Sequence, residues 1–598
     1  LKERNIRGMV TGVKETCGSK TVGYSVKLGK FGQTFRPRGI WQHRDGVEWS
    51  NAIYNYDDRG FLTGMHSSCN SVTKWTRDIY GNPLTMSVAD DSIVSRAEWK
   101  PLVGVSTLTT PAGARQEFLY DTKGRLTSVK LNSRKLEAYS YRINQDGNNY
   151  ITKAVWTDYG YKYTSYSYFD GLGRNRATVT RQPDRSYLTE ISEFDVMGRL
   201  SRRWNPVAYT SQTPDSEGVK AAAVSDYGDD YPYTSFTYEA SQRELPVSTT
   251  KSGRAWHSGG RSATVRYLVN DADAHSCVRY TPSSGGVTSE GNYPKGLLTI
   301  EVTEDEDGIS TEVYKDFRGL TVCRKQGGLV TDYVYDDFGE LRYILPPALS
   351  GTAKRTDADM QRYAYWYDYD ERGRLVSKKL PGLREWLYRY DIVDRLGAEL
   401  SPHQEAGVWR LYCYDNADRQ VIAFDCRMTD AEATYFAYQT NTAEPDWGAF
   451  HGYAVPDVPD EAEVAWARFY DNYQFISDNR LGSEYGWDED SSPGWVYSEY
   501  SPSSKGLLTG VYDGKNFESY HYNTDGQVIQ SYSTGFNKGR TNYVYTYDGQ
   551  LQKVVHDPCD PKVPKVTEEY DYDVMGRQTA HRVLLHDSNT ARTDTARM

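Results

Sequence analysis

The chain has 598 residues, among them 51 tyrosines and 51 glycines, and carries a formal net charge of −11. This length exceeds the range in which one hydrophobic core keeps growing, and the abundance of Tyr and Gly favours a β-strand repeat array over a compact α/β enzyme. Acidic and basic residues are interspersed without a Lys/Arg stripe, which argues against a nucleic-acid partner.

Cysteine spacing and apolar runs argue against two further classes. The seven cysteines are Cys17, Cys69, Cys277, Cys323, Cys413, Cys426 and Cys559. Because their number is odd and none are spaced as C-x-x-C, they predict neither a zinc site nor a disulfide framework. No run of about 18 apolar residues predicts a transmembrane helix. The sequence begins at Leu1 without a signal peptide, and we expect a segment of a longer product.

The first part of the chain is a lead-in followed by a repeat. Residues 1–49 alternate like strands but contain no clear copy of it. Over residues 50–204, a Tyr-rich alternating run is followed by Tyr-Asp, two variable residues, Gly, Arg and Leu. The clear copies contain Tyr56, Asp57 and Gly60; Tyr120, Asp121 and Gly124; and Asp195 and Gly198.

The rest of the chain alternates between insertions and repeats. Residues 205–292 are rich in Ser, Thr, Gly and Asp and are interpreted as an insertion or a set of long loops. Residues 293–424 and 504–598 carry the repeat again. Residues 425–503 are an acidic insertion, in which the apolar spacing over residues 459–470 predicts a short amphipathic helix. The later clear copies contain Tyr335, Asp336 and Gly339; Tyr369, Asp370 and Gly373; and Tyr572, Asp573 and Gly576.

Each position of the repeat has a physical interpretation. A unit of about 20 to 25 residues holds two strands and two connections, which predicts an all-β array of hairpins stacked into a curved ribbon. The Tyr ring is expected to lie on the neighbouring unit, Asp to accept backbone N–H groups, and Gly to adopt a positive φ in a bulged turn. Arg is expected to keep its head in water, and Leu to point to the opposite face. Each Asp is therefore interpreted as a turn cap and not as a catalytic acid.

Two stretches carry a more specific resemblance. The first stretch comprises residues 332–347, which begin DYVYDDFG and end LPP, and residues 369–382, which begin YDERGR and end KLPG. The second stretch comprises SKGLLTG at 504–510 and YHYNTDGQVIQ at 520–530. They resemble the Rhs/YD-repeat family, which includes bacterial polymorphic toxins, the C component of Tc toxins and the teneurins, and look most like Rhs-type proteins of the Bacteroidota. The resemblance implies a strip of hairpins that spirals into a hollow cocoon around a toxic C-terminal domain.

The sequence departs from that family at one point. The family's core boundary, an Asp-Pro-x-Gly-Leu type motif, is not found, because Asp557-Pro558-Cys559-Asp560-Pro561 lacks the Gly-Leu. We therefore assign neither a cleavage site nor a toxin domain to this chain. We also assign no catalytic, cofactor-binding or metal-binding residue.

The leading functional hypothesis is a shell segment of an exported Rhs-type toxin, secreted or at the cell surface, and not an enzyme. Its expected partners are a C-terminal effector outside this chain, other shell segments and secretion-system components. The alternative is a cell-surface adhesion or glycan-binding YD-repeat protein. Its sugar-binding face would use Trp41, Trp49, Trp75, Trp366, Trp386 and Trp409. Packing across strands is the better interpretation of these residues.

Overall fold

One large sheet accounts for most of the structure. The computed structural model describes residues 11–586 and 593–597, except residues 18–19, 33, 51, 68–71, 90, 146–147, 158–161, 183, 242, 284, 350–352, 440–443, 446–452, 456–457, 490–499, 536–537 and 574. Within these residues, 42 strands form one antiparallel sheet, and two smaller sheets have three and two strands. The predicted all-β array of hairpins is confirmed.

The first nineteen strands precede the first helix. Their bounds are β1 Gly12–Cys17, β2 Lys20–Phe31, β3 Thr34–Arg44, β4 Val47–Trp49, β5 Ala52–Tyr56, β6 Leu62–Ser67, β7 Val72–Arg77, β8 Pro83–Val88, β9 Ile93–Lys100, β10 Gly104–Thr109, β11 Arg115–Tyr120, β12 Leu126–Leu131, β13 Arg134–Gln145, β14 Asn148–Trp156, β15 Lys162–Phe169, β16 Asn175–Arg181, β17 Tyr187–Phe194, β18 Leu200–Trp204 and β19 Val207–Tyr209.

The middle of the chain adds strands and three helices. The strands are β20 Tyr233–Tyr238, β21 Pro246–Thr250, β22 Ala263–Val269, β23 Val278–Ser283, β24 Gly286–Asn292, β25 Thr299–Glu304, β26 Ser310–Lys315, β27 Thr321–Gln326, β28 Leu329–Tyr335, β29 Leu341–Leu345, β30 Ala353–Lys354, β31 Tyr365–Tyr369, β32 Leu375–Lys379, β33 Trp386–Tyr390, β34 Leu396–Leu400, β35 Val408–Tyr414 and β36 Gln420–Arg427. The helices are α1 Ser216–Tyr227, α2 Arg254–His257 and α3 Ala358–Tyr363.

The C-terminal part contains the remaining elements. The strands are β37 Glu444–Pro445, β38 Tyr453–Ala454, β39 Glu463–Asp471, β40 Ser504–Tyr512, β41 Phe517–Tyr522, β42 Val528–Ser533, β43 Gly539–Tyr545, β44 Leu551–Pro558, β45 Lys565–Tyr572, β46 Gln578–His586 and β47 Thr593–Arg597. The helices are α4 Asp430–Tyr438, α5 Gln474–Asp478 and a 3₁₀ turn at Ser483–Tyr485.

Strand order in the large sheet follows the chain. Most strands pair with the next one in the chain, but β4 and β5 both pair with β3, and β18 and β19 both pair with β17, after which the sheet continues from β18 to β20. The sheet passes from β22 to β25, from β29 to β31 and from β36 to β39. The skipped strands β23, β24 and β30 form the three-stranded sheet, and β37 pairs with β38. The result is a ribbon of consecutive hairpins.

Both faces of this ribbon meet water over much of its length. The structure exposes 32470 Å², whereas a compact protein of 68.1 kDa would expose about 21,000 Å². In β5, Tyr54 is only half-buried on one face, while Ile53 and Asn55 are exposed on the other. In this strand neither face is dry, as one face of each sheet in a β-sandwich would be, although dry patches occur where helices or the three-stranded sheet cover the ribbon. The ribbon is therefore a single-layer wall.

Short helices cover the wall where its apolar residues are most buried. Helix α4 begins at a capping box formed by Thr429 and Glu432 and lies on β33, β34 and β35. Gly397 of β34 permits this approach, because a Cβ there would lie 2.7 Å from the Cα of Ala437. Helix α1 is capped by Asp215 and lies on β17 and β19. These helices thicken the wall locally.

Two sequence predictions about the insertions need correction. Residues 205–292, interpreted as an insertion or a set of long loops, contain α1, α2, strands β19 to β22 of the large sheet and strands β23 and β24 of the three-stranded sheet, so the ribbon continues through this segment. Residues 459–470, predicted as a helix, mostly form β39 instead. There Ala467 and Phe469 are buried and Arg468 between them is exposed, so two-residue alternation prevails over the helical spacing. The insertion at 425–503 does contain the helices α4 and α5, but both lie outside residues 459–470, where the helix was predicted.

Candidate functional site

The repeated turn is closed by its aspartate. At Asp121, Oδ1 accepts hydrogen bonds from the backbone N–H groups of Lys123 (2.8 Å) and Arg125 (2.9 Å). Gly124 donates its N–H to the Asp121 carbonyl at 3.1 Å and has a φ of 77°, a conformation that favours glycine. The backbone N–H of Arg125 is the main cause that holds the pKa of Asp121 below its ordinary value. The turn is thus held by a charged carboxylate.

The other predicted turns have the same geometry. In each of them, Asp Oδ1 accepts the N–H groups two and four residues on, and the turn glycine has a φ between 76° and 88°. These turns contain Asp57 and Gly60, Asp195 and Gly198, Asp336 and Gly339, Asp370 and Gly373, and Asp573 and Gly576. In the degenerate copies at Asp391 and Asp415, Asp394 and Asp418 replace the glycine and still adopt φ values of 70° and 59°.

The arginine after the turn glycine does not point freely into water. Arg125 donates from Nε to Asp121 Oδ2 at 2.8 Å, and its guanidinium lies 4.4 Å from the ring centre of Tyr141 on β13. The same two kinds of contact recur at Arg174, Arg199, Arg374, Arg395 and Arg419. At these positions the expectation of a solvated head is wrong, because the turn fixes a carboxylate within reach of the side chain; Arg577, paired with Asp573, is nevertheless 65% exposed.

The repeat tyrosine ties one hairpin to the one before it. The Tyr390 hydroxyl donates to the carbonyl of Leu375 at 2.7 Å, and Leu375 is the first residue of β32. Further donors to the first residue of an earlier strand are Tyr335, Tyr369, Tyr414, Tyr545 and Tyr572. Burial raises the pKa of Tyr369 to about 12. At these positions Tyr makes a bond between repeats that Phe could not make, whereas the copies at Asp170 and Asp195 carry Phe169 and Phe194 in the same place.

A second set of contacts joins turns that are far apart in the chain. Arg44 at the end of β3 makes a two-pronged ion pair with Glu340, with 2.7 Å between Nη2 and Oε2. The Arg44 guanidinium also lies 3.9 Å from the ring centre of Phe338. The hydrogen bond with Glu340 is the main cause that raises the pKa of Arg44. We call this contact the first seam.

The second seam joins the β12–β13 turn to the β41–β42 turn. Asn132 donates from Nδ2 to the Thr524 carbonyl and to Asp525 Oδ1, both at 2.8 Å. Arg134 forms an ion pair with Asp525, in which the two side chains are only 12% and 4% exposed. The Arg134 guanidinium lies 5.6 Å from the ring centre of Tyr547. This seam is therefore a buried polar contact between strand ends.

The two seams show that the ribbon winds back on itself. In each, the partner turns lie about twenty strand steps apart along the sheet, which at about 4.8 Å per step is a path of about 100 Å. A similar interval along the ribbon at both contacts is the property of a helical winding. Successive windings meet turn to turn at these contacts, so each winding extends the wall sideways.

At both seams, the turns carry substitutions at positions that are constant in the clear copies of the repeat. Glu340 occupies the position where the clear repeats have Arg, and it pairs across the seam instead of with its own turn aspartate. In the degenerate copy at the second seam, Asn523 replaces the turn Asp and Gln527 replaces Arg, with 3.0 Å between Asn523 Nδ2 and Gln527 Oε1. Gln527 carries no charge, this turn has no arginine after its glycine, and Asp525 forms its ion pair with Arg134 across the seam. Departures from the repeat therefore mark these turns.

The tryptophans do not form one sugar-binding face. Trp366, Trp386 and Trp409 are 3%, 7% and 1% exposed and pack within the sheet. Trp41 is covered by Lys27, whose Nζ lies 3.8 Å from the indole ring centre. The environments of these four tryptophans favour packing across strands. Among the described helices, none is both long and apolar enough to cross a bilayer.

Comparison with known proteins gives one family match and several related structures. Residues 141–269 match the family model described as Domain of unknown function (DUF6443). No curated protein matches the chain. The structure of TcdB2-TccC3 without its hypervariable C-terminal region is similar with a TM-score of 0.51 at 10% identity, covering 96% of this chain and 34% of that one. TcdB2-TccC3-TEV is similar with a TM-score of 0.50 at 11% identity, covering 96% and 35%.

These similarities establish fold and not activity. The chain spans about a third of the length of the solved chains that it resembles. The DUF6443 match runs from β13 into β22 and so crosses the boundary predicted at residue 204 without interruption of the sheet. Residues 141–269 thus match the DUF6443 family model, and the chain shares, over nearly all of its length, the β-ribbon fold of the TcdB2-TccC3 proteins.

Proposed function

We propose that this chain is a wall segment of the shell of an exported Rhs-type toxin, and that the shell encloses or presents a C-terminal effector outside these residues. The observation that carries the proposal is a single-layer ribbon, wet on both faces, whose windings are fastened turn to turn at two seams. Such a wall separates an interior from the surroundings. The role is structural, and the turn aspartates are engaged by backbone N–H groups instead of substrate.

The dimensions of one winding limit what it encloses. A closed path of about 100 Å has a radius of about 16 Å, and inward side chains of about 5 Å leave a lumen of about 11 Å radius. A folded domain of about 100 residues has a radius of gyration of about 13 Å and does not fit. Within this segment, the effector would therefore pass as an extended chain, while a folded effector would need a wider part of the shell.

The comparisons support the same proposal. The solved TcdB2-TccC3 proteins are longer than this chain, and one of them was studied without a hypervariable C-terminal region. A wall that ends in an exchangeable C-terminal part is the architecture that the proposal requires. Export to the outside of the cell follows from the same proposed role.

Cryo-electron microscopy of the complete gene product tests the wall. We expect a closed outline one sheet thick, with lower density inside than in the wall. Two sheets packed face to face, with a continuous dry core between them, would overturn the proposal. Residues 216–227 (α1) and 430–438 (α4) provide markers for orienting the ribbon in such a map.

Protease protection of the complete gene product tests the enclosed effector. We expect the region downstream of this chain to resist protease while the wall is intact, and to become sensitive in Arg44→Glu, which breaks the first seam. The exchange Arg44→Glu/Glu340→Arg serves as the matched control and should restore protection. A downstream region that is digested at the same rate in all three proteins would show that the wall does not enclose it.

A further inference from the structure

Two thiols and a carboxyl meet inside the wall at a place where sequence spacing gave no site. Cys277 lies just before β23, Cys323 is on β27 and Asp332 is on β28. Their Sγ and carboxylate oxygen atoms all lie within 4.8 Å of one another, and all three residues are buried, at 2%, 1% and 7% exposure. Cys323 and Asp332 are direct neighbours across the ladder. The fold thus assembles three ligand-type groups from three segments.

The surroundings of this cluster are apolar on one side. Leu298, Ile300 and Val302 belong to the same buried cluster as the two cysteines. Burial raises the pKa of the Asp332 carboxyl to about 6, against the weaker opposing effects of the Cys323 thiol and Lys325. A carboxylate buried in such a place with only these weak opposing effects costs free energy, because a charge removed from water needs a strong partner.

Lys325 is a cation near the cluster and contributes one positive charge to it. Lys325, two residues beyond Cys323 on β27, donates from Nζ to the carbonyl of Ser276 at 2.6 Å and lies 4.7 Å from the ring centre of Tyr314. Once a bound metal ion has displaced both thiol protons, the two thiolates and one carboxylate carry three negative charges. A divalent ion together with the Lys325 ammonium neutralises them, whereas Lys325 alone does not.

We propose that Cys277, Cys323 and Asp332 bind one thiophilic divalent cation of the zinc type. Two sulfurs that share a zinc ion at about 2.3 Å lie about 3.7 Å apart, so small side-chain rotations suffice from the present spacing. The thiol protons leave to solvent on binding, and water takes the fourth position. The ion would pin the segment before β23 to β27 and β28 of the wall. No redox step is involved.

Cobalt and zinc titration of the full chain tests the site. The reduced, metal-free protein is titrated with Co²⁺, and we expect thiolate-to-cobalt charge-transfer absorption that saturates at one ion per chain and is displaced by Zn²⁺. Cys323→Ser should abolish this absorption. Asp332→Asn should weaken zinc binding by more than about 100-fold, because even the loss of a residue that only hydrogen-bonds a metal ligand costs about 10–100-fold in affinity.

Matched controls keep the test decisive. Cys426→Ser replaces another buried cysteine, remote from the cluster, and should leave the titration unchanged. Far-ultraviolet circular dichroism checks that each variant is folded, and the wild-type titration needs no variant at all. Absence of the charge-transfer absorption in the reduced wild type would overturn the proposal. So would a protein purified without reductant that contains a Cys277–Cys323 disulfide, recognised by the loss of two titratable thiols.

Discussion

Arg44 and Glu340 stand 296 positions apart in the sequence and form a two-pronged ion pair in which the side chains are only 13% and 17% exposed. Each belongs to a turn at the end of a different hairpin, so the pair fastens one winding of the ribbon to the next. Arg44 also covers the ring of Phe338. A contact of this kind joins parts of the wall that share no strand pairing.

The first prediction concerns this seam. Arg44→Glu places two carboxylates opposite each other, and we expect a loss of about 2 kcal/mol in the free energy of unfolding, between the values typical of surface and buried pairs. The exchange Arg44→Glu/Glu340→Arg should recover part of the loss. Urea denaturation measures both. Equal stability of the single and double variants would show that the two residues do not interact.

The second prediction concerns the charged pair inside a turn. Asp391 and Arg395 are 3% and 12% exposed, and Arg395 Nε donates to Asp391 Oδ2 at 2.6 Å. Asp391→Asn keeps an oxygen for the backbone N–H groups but faces Arg395 with an amide, and we expect a cost of about 2 to 3 kcal/mol.

The natural turn at Asn523 supplies the control for that prediction. Its Oδ1 accepts the backbone N–H groups of Asp525 and Gln527 at 3.0 and 2.9 Å, and its amide pairs with the Gln527 side chain. The double variant Asp391→Asn/Arg395→Gln copies this pair but also removes the contacts of Arg395 with the exposed Asp418 (2.9 Å) and the Tyr414 ring, so it should be more stable than Asp391→Asn alone by less than about 1 kcal/mol. Thermal unfolding that ranks the double variant below the single one would contradict the turn mechanism.

The third prediction concerns the hydroxyl that links repeats. Tyr390→Phe removes the bond to the Leu375 carbonyl but keeps the ring beside Arg374, 4.9 Å from the guanidinium, so we expect a loss of about 1 kcal/mol. Tyr435→Phe, at a side chain that is 69% exposed on α4, should have no effect. Chemical denaturation measures the free energy of unfolding of both variants. Equal values for Tyr390→Phe and Tyr435→Phe would disprove the link.

The fourth prediction concerns pH. His521 is 2% exposed, has its Nε2 2.9 Å from the Tyr485 carbonyl and stacks on Tyr473. Burial lowers the pKa of His521 below its ordinary value of 6.5. Its neutral form is therefore favoured in the folded state, so stability is fully present above pH 6.5 and declines as pH falls below it.

Substitution of His521 isolates this contribution from that of the carboxylates. In His521→Gln, the amide still has a donor for the Tyr485 carbonyl, and the decline between pH 6.5 and 5.5 should be shallower than in the wild type. His66→Gln, at an exposed position, should follow the wild-type curve. Urea midpoints across this range measure the effect, and parallel curves for wild type and His521→Gln would refute it.

The features that the sequence predicted are those determined by neighbours in the chain. Asp121 and Gly124 act within one turn, so residue type and spacing suffice to predict their contacts. Arg44 and Glu340 could not be paired in advance, because their contact depends on the number of strands in a winding. Cys277 and Cys323 were not predicted as metal ligands for the same reason, because the fold brings them together although they are far apart in the sequence.

The misassigned helix has a different cause. Residues 459–470 satisfy a helical apolar spacing and a strand alternation together, and the sequence alone does not decide between them. The open sheet position between β36 and β40 decides, because pairing on both sides of β39 satisfies the backbone groups of that segment. Phe469 then packs against Phe475 of α5 at a ring-centre distance of 4.4 Å.

The chain-order pairing of the strands has a consequence for how the protein forms. Nearly every strand finds its partner in the segment just synthesised, so the ribbon can assemble progressively as the polypeptide leaves the ribosome, with little loop-closure entropy at each step. Arg44, by contrast, waits for almost 300 further residues before Glu340 exists. Closure of the first seam is thus a late event of biogenesis, and until then the nascent ribbon stays open along that edge.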